Sequence, residues 1–304
     1  MNDFEQIVVA LGDPEGDTSL IAYAALLARL GGAREVRFVH VVEEATDSAV
    51  LRRQMRDHVA GAFTGSSARI ECHVLQGSLT DRLLDYVTEF QADLLLIGAE
   101  KHKLGARLAM IAPCSLAIVP DGHSADLSHL LIAVDFSDAA SWTLQWATSL
   151  AAGDRTIRCT ALHVITHEST DLFAGGESEP EQAQKMREIL RDANRHGVPV
   201  ESRLVTATRS GDVGVSHPLS FAASIEGADV AHTILAEAEA SGADCIALST
   251  RGRSRSASIL LGSVTEKVIE RSPVPLLIGK QARHIGLVSL LLGRAAAHAG
   301  IKTN

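Results

Sequence analysis

The sequence predicts an α/β protein made of two doubly wound parallel-sheet domains in tandem, and three observations predict it. Short β-branched runs alternate with longer amphipathic ones, the order that yields a parallel sheet covered by helices on both faces. Runs such as Leu94 to Ile97 are apolar at every position, as strands buried on both sides require. The chain also repeats itself, with insertions that blur the period.

Taken in order, the first strand at 7–12 (IleValValAlaLeuGly) resembles 131–135 (LeuIleAlaValAsp). A helix is expected after each, at 18–30 and 138–150, with Gly31 and Gly153 just past them as stops. The second strands, 38–42 and 161–165, carry His40 and His163 at an offset of 123, which also sets Leu11 against Val134 and Gly12 against Asp135. The runs 92–98 and 243–249 match at an offset of 151, so the second copy holds 28 more residues before this strand. The Gly-, Ser- and Thr-rich segment 206–227 supplies much of that excess and reads as a long loop, a lid or a connection. The last strands, 112–119 and 272–279, match at an offset of 160, nine residues more. The polar, aperiodic stretch 121–128 reads as a linker. Domains of 1–124 and 125–282 follow, with a tail of 283–304 whose apolar run reads as a helix docked on its own domain or on a second subunit.

Composition narrows the class. At 304 residues, 46% hydrophobic and 21% charged, the chain can bury a core in each of two domains. A net charge of −9 argues against nucleic acid as the main partner. Cys72, Cys114, Cys159 and Cys245 have no CxxC pairing and read as free thiols of a reducing compartment. With no leader pattern and no run of about 20 apolar residues, the expected location is the cytoplasm, without membrane contact.

The chemistry concentrates at 249–263. A strand at 244–248 leads into a loop of Gly, Ser and Arg residues, and Gly262, Ser263 and Glu266 mark a helix start. Ser263 would cap that helix while the Glu266 side chain reaches back to the cap. Such an end binds anions through its unpaired N–H groups and the positive end of the helix dipole. Arg251, Arg253 and Arg255 add charge suited to phosphate oxygens. A plain Gly/Ser surface loop is the alternative.

Counted from Ser249, two residues precede Gly252, nine more precede Gly262, and Ser263 follows. This spacing resembles the nucleotide-binding signature of the universal stress protein family: Gly, two residues, Gly, nine residues, Gly, then Ser or Thr. Ser249 stands where the family has its first glycine. The resemblance covers nearly the whole chain and carries the specific motif only in the second half. It implies Rossmann-like domains, and ATP, with Mg²⁺ possible beside it. It also implies the site residues: Ala133, Val134, Asp135 and the backbone around Val164 on the nucleoside, and Ser249, Gly252, Arg253, Gly262, Ser263 and Val264 on phosphate. An acidic residue at the position of Asp135 contacts the nucleoside in that family, since a carboxylate accepts bonds from ribose hydroxyls or an exocyclic amine. On the residues alone, Asp135 reads equally as a turn residue before an N-cap at Ser137.

The first copy has Gly12 in place of Asp135, and its 98–113 segment lacks the Gly-Ser pair and is expected to lack most of the following helix. Nucleotide is therefore expected in the second domain alone. His40 and His163 read as architectural, because the first copy keeps its His without the rest of the site. Glu237 and Glu239 read as a solvated helix face, and no protein-ligated metal site is expected. No poised base or activated nucleophile is evident, so the expected role is regulatory, with slow ATP hydrolysis at most. A nucleotide-free scaffold and an ATP-using enzyme are the alternatives. The two copies would pair as an intramolecular pseudo-dimer, and further homodimer formation is left open.

Overall fold

Ten strands form one sheet in a computed structural model that describes residues 4–13, 16–44, 47–99, 102–166, 177–207, 219–250 and 261–281, with backbone alone at 102 and 219–229. The first half runs β1 (Gln6–Leu11), α1 (Thr18–Gly31), β2 (Glu35–Val42), α2 (Ser48–Ala60), β3 (Arg69–Gln76), α3 (Leu79–Glu89), β4 (Leu94–Gly98), α4 (His102–Ile111) and β5 (Ser115–Val119). The second runs β6 (His129–Ala133), α5 (Asp138–Gly153), β7 (Arg158–Ile165), α6 (Glu179–Ala193), β8 (Val200–Thr206), α7 (Leu219–Ser241), β9 (Cys245–Ser249), α8 (Ser263–Arg271) and β10 (Leu276–Gly279).

The strand order is β3-β2-β1-β4-β5-β10-β9-β6-β7-β8. Each half is parallel throughout, and the halves meet where β5 and β10 pair antiparallel, Ala117 opposite Leu277. The tandem copies thus pair with each other inside one chain. Because successive strand residues point to opposite faces, Leu94 and Leu96 enter one core while Leu95 and Ile97 enter the other. The cores divide by sheet face instead of by half: α1 and α5 cover one face, α4 and α8 the other, and each core draws on both halves. The expectation that each copy buries a core of its own is corrected here.

The repeat shows in the hydrogen bonds. Asp93 accepts from the Gln6 N–H at 2.8 Å, and Asp244, 151 positions on, accepts from Ser128 N–H at 2.8 Å and His129 N–H at 3.1 Å. Each carboxylate satisfies backbone donors at the start of the neighbouring strand, which burial would otherwise leave costly. His40 Nδ1 lies 3.0 Å from the Leu11 carbonyl and His163 Nδ1 2.7 Å from the Val134 carbonyl, supporting the architectural reading and the 123 offset. Lys280 Nζ donates to the Met110 and Ala112 carbonyls, so a side chain following β10 caps the last turn of α4 in the other half.

Three expectations are revised. The first copy keeps its fourth helix: α4 has ten residues and α8 nine. The shortening lies in the preceding loop, residues 99–101 against 250–262. The 206–227 segment is not loop throughout, because α7 begins at Leu219 and runs 23 residues where α3 runs 11. Glu237 is mostly covered and pairs with Arg203 at 2.9 Å, while Glu239 is exposed. The tail from 283 lies outside the described residues.

Cys114, Cys159 and Cys245 are buried and Cys72 half-buried, all as free thiols. Burial pushes Cys114 and Cys245 up to about 12, so both stay protonated and unreactive at neutral pH.

His129 makes stability pH-dependent. Its Nε2 lies 2.9 Å from Thr160 Oγ1, and its Nδ1 accepts from Arg158 Nη2 at 2.8 Å, which selects the neutral ring. Burial first, and the guanidinium second, hold its pKa below the usual 6.5. As pH falls, the unfolded chain takes up this proton before the folded one does. The contribution is therefore complete above pH 6.5 and declines as pH drops from there through the folded-state value. The urea midpoint should fall as pH drops below about 6.5 and should fall less steeply in His129→Gln.

Candidate functional site

In each half the strand order reverses beside the first strand, between β1 and β4 and between β6 and β9. Connections leave these strand pairs toward opposite faces, which opens a crevice at their carboxyl ends. In the second half, β6 pairs with β9 through Ile132 and Ala247, so Val134 and Asp135 emerge beside Ser249.

Ala133 pairs with Leu162, and the Val134 N–H donates to the Leu162 carbonyl at 2.8 Å. Asp135 is half-buried just past the strand, and its Oδ1 accepts from Ser137 N–H at 3.1 Å and from Ser137 Oγ at 2.6 Å. Ser137 in turn caps α5, its Oγ accepting from Ala140 N–H at 3.2 Å. The turn geometry of Asp135 is therefore present, and it holds the carboxylate at the end of β6. Phe136 adopts φ 62°, a left-handed conformation unusual for a bulky residue, and its ring lies 4.1 Å from that of His163. His163 also approaches Gln182 Oε1 at 3.0 Å. Val164 lies on β7 beyond the last residue paired with β6, so its backbone edge borders the crevice.

On the other side, Ser249 is the buried last residue of β9. Its carbonyl accepts from Thr265 Oγ1 at 2.8 Å, and the Thr250 carbonyl accepts from Gly262 N–H at 3.0 Å. Both ends of the 250–262 loop are thus clasped together at its base. These bonds place the first turn of α8 against the end of β9. The N–H groups of Ser263, Val264 and Thr265 lie in that turn, where no intrahelical acceptor exists, and the first such bond runs from Glu266 N–H to the Gly262 carbonyl at 3.0 Å.

The expected capping box is corrected. The N-cap is Gly262 and makes no side-chain cap bond, so Ser263 is already helical. Starting one residue earlier puts Thr265 at the third helical position, and its hydroxyl bonds to the strand. Sequence reading missed Thr265 and Phe136. The first could be suspected from a β-branched hydroxyl three residues past a glycine N-cap, and nothing local signals the second.

Ala133, Val134, Asp135, Val164, Ser249, Gly262, Ser263 and Val264 are brought to one end of the sheet. Gly252 and Arg253, with Arg251 and Arg255, lie outside the described residues. Among the described residues, no group of three or more His, Cys, Asp or Glu could hold a metal ion. None of the described helices is long and apolar enough to cross a membrane.

Fold and site define a tandem doubly wound α/β protein that presents a carboxylate and a helix start at a sheet switch point. The sequence model of the universal stress protein family matches residues 3–120 and again 127–280, and the chain belongs to that family. Among solved structures it is similar to a universal stress protein from Archaeoglobus fulgidus DSM 4304, with 17% identity over 91% of this chain and 98% of that one and a TM-score of 0.63. A functionally unknown protein from Pseudomonas aeruginosa PAO1 aligns at 14% identity over 96% of this chain and 98% of that one, TM-score 0.65. At these identities the likeness is one of fold. No curated protein matches the sequence.

Proposed function

We propose that the second half binds an adenine nucleotide, ATP in the first instance, and that the chain acts as a regulatory stress-response module without enzymatic turnover beyond slow ATP hydrolysis. The observation that carries this reading is the clasped base of the 250–262 loop, which holds the first turn of α8 against the end of β9, next to Asp135. Three first-turn N–H groups and the helix dipole suit phosphate oxygens. The Asp135 carboxylate suits a ribose hydroxyl or the exocyclic amine. When bound, ATP supplies a charged ligand whose presence or hydrolysis sets the state of the module, and Mg²⁺ travels on the phosphates. Ala133, Val134 and Val164 border the nucleoside, and Ser249, Gly252, Arg253, Gly262, Ser263 and Val264 the phosphates. The first half lacks both Asp135 and the long loop, so one nucleotide binds per chain. The domain division, the cytoplasmic location and any dimer of whole chains belong to this same reading.

The test is to denature freshly purified protein and assay the released supernatant for nucleotide by chromatography and mass, together with calorimetric titration of ATP and Mg²⁺. The expected result is one adenine nucleotide per chain, with affinity weakened about 10- to 100-fold in Asp135→Ala through loss of charge-assisted bonds. No bound nucleotide and no heat of titration would favour a nucleotide-free scaffold.

A further inference from the structure

We propose that the first half holds a binding site for a small amphipathic amine, in the crevice at the carboxyl ends of β1 and β4. The crevice has a volume of about 390 Å³, within the range of small-molecule sites. It occupies the switch point of its own half, so it is separate from the site at Asp135 and does not depend on that site's ligand.

Its inner wall is apolar, with Leu20 of α1, Leu83 of α3, Ile97 of β4 and Val119 of β5. Every charged residue among the described lining residues is a carboxylate: Asp13, Asp17 and Asp121. The backbone donors at the end of β1 are already taken: the N–H groups of Gly12 and Asp13 donate to Asp17 Oδ2 at 2.6 and 3.1 Å. Three positions, 99–101, separate β4 from α4, against thirteen, 250–262, between β9 and α8. An apolar group enters the crevice to leave water, and an ammonium at its mouth donates charge-assisted hydrogen bonds to the carboxylates. A primary amine on one aromatic ring or short alkyl chain meets both requirements.

The probe is 2-phenylethylamine, compared by calorimetry on the full chain with 2-phenylethanol and 3-phenylpropionate, its neutral and anionic counterparts. The amine should bind at least about tenfold more tightly than the alcohol, the carboxylate should give no heat, and saturating ATP should not compete. Gly98 offers a blocking variant. It lines the crevice, and a Cβ added there meets nothing within 4 Å. Gly98→Leu should therefore keep its Tm and lose the amine. Asp121→Asn should weaken the amine and leave the alcohol unchanged. Absence of amine binding, equal affinity for amine and alcohol, full binding in Gly98→Leu, or displacement by ATP would each overturn the proposal.

Discussion

Gly153→Val lowers the stability of the chain by about 3 kcal/mol, and Gly153→Ala by roughly half as much, because no room exists for a side chain where α5 meets α1. A Cβ at Gly153 would lie 2.2 Å from the Leu30 carbonyl oxygen and 3.1 Å from the Leu30 Cα. These are backbone atoms of the other half, and they move only if α1 shifts on the sheet. The helix-propensity gain of replacing Gly is at most about 1 kcal/mol and does not offset this. The seam is packed tightly around the contact. Phe4 stacks on Trp146 at 5.0 Å, and Trp146 on Trp142 at 5.8 Å. Those are the only two tryptophans of the chain, so their fluorescence reports the seam directly during urea unfolding. Gly61→Ala serves as control, since a Cβ there meets nothing within 4 Å. Equal midpoints for Gly61→Ala and Gly153→Val would refute the close-packed seam.

Gly262→Asp should separate folding from the proposed nucleotide binding. Gly262 has φ −65° and ψ 137°, an extended N-cap conformation open to any residue, and Asp is among the best N-caps. The variant should therefore be as stable as the parent or a few tenths of a kcal/mol more so. Its carboxylate would take first-turn N–H groups and set a negative charge where phosphate oxygens approach. ATP affinity should drop about a hundredfold, near 3 kcal/mol. Gly262→Ala, which adds bulk without charge, should lose far less. Calorimetric titration of ATP into both variants, with thermal unfolding as the folding control, decides the matter. Undiminished ATP affinity in Gly262→Asp would remove the α8 start from the site.

Much of this was legible from local pattern. Alternating runs announced parallel strands and helices because the burial each element needs is written in its own periodicity. The two copies could be aligned through His40 with His163 and Asp93 with Asp244, since each pair performs the same backbone duty at the same point of its half. The candidate site was legible to the extent that it lies at strand ends, as with Asp135 and Ser249. It became less so where it depends on which residue begins a helix. Gly262 and Ser263 are both acceptable N-caps by propensity, and the choice fell to Thr265, whose hydroxyl reaches the Ser249 carbonyl only once β9 and α8 are packed. For the same reason the deletion in the first copy was misplaced. The helix His102–Ile111 brings Gly105 close to Ile118 and to Ile269 of the other half, a fit between distant segments that local pattern does not show.

By itself, then, the sequence determined the element types, the tandem repeat, the family and the asymmetry between Gly12 and Asp135. All of these reside in residue identity and short-range spacing. Only the tertiary structure decided that β5 and β10 join antiparallel, that the cores divide by sheet face, that Phe136 is held at positive φ, and that an acidic crevice remains in the first half. Each of these depends on contacts between segments far apart in the chain, whose energies local propensity does not encode.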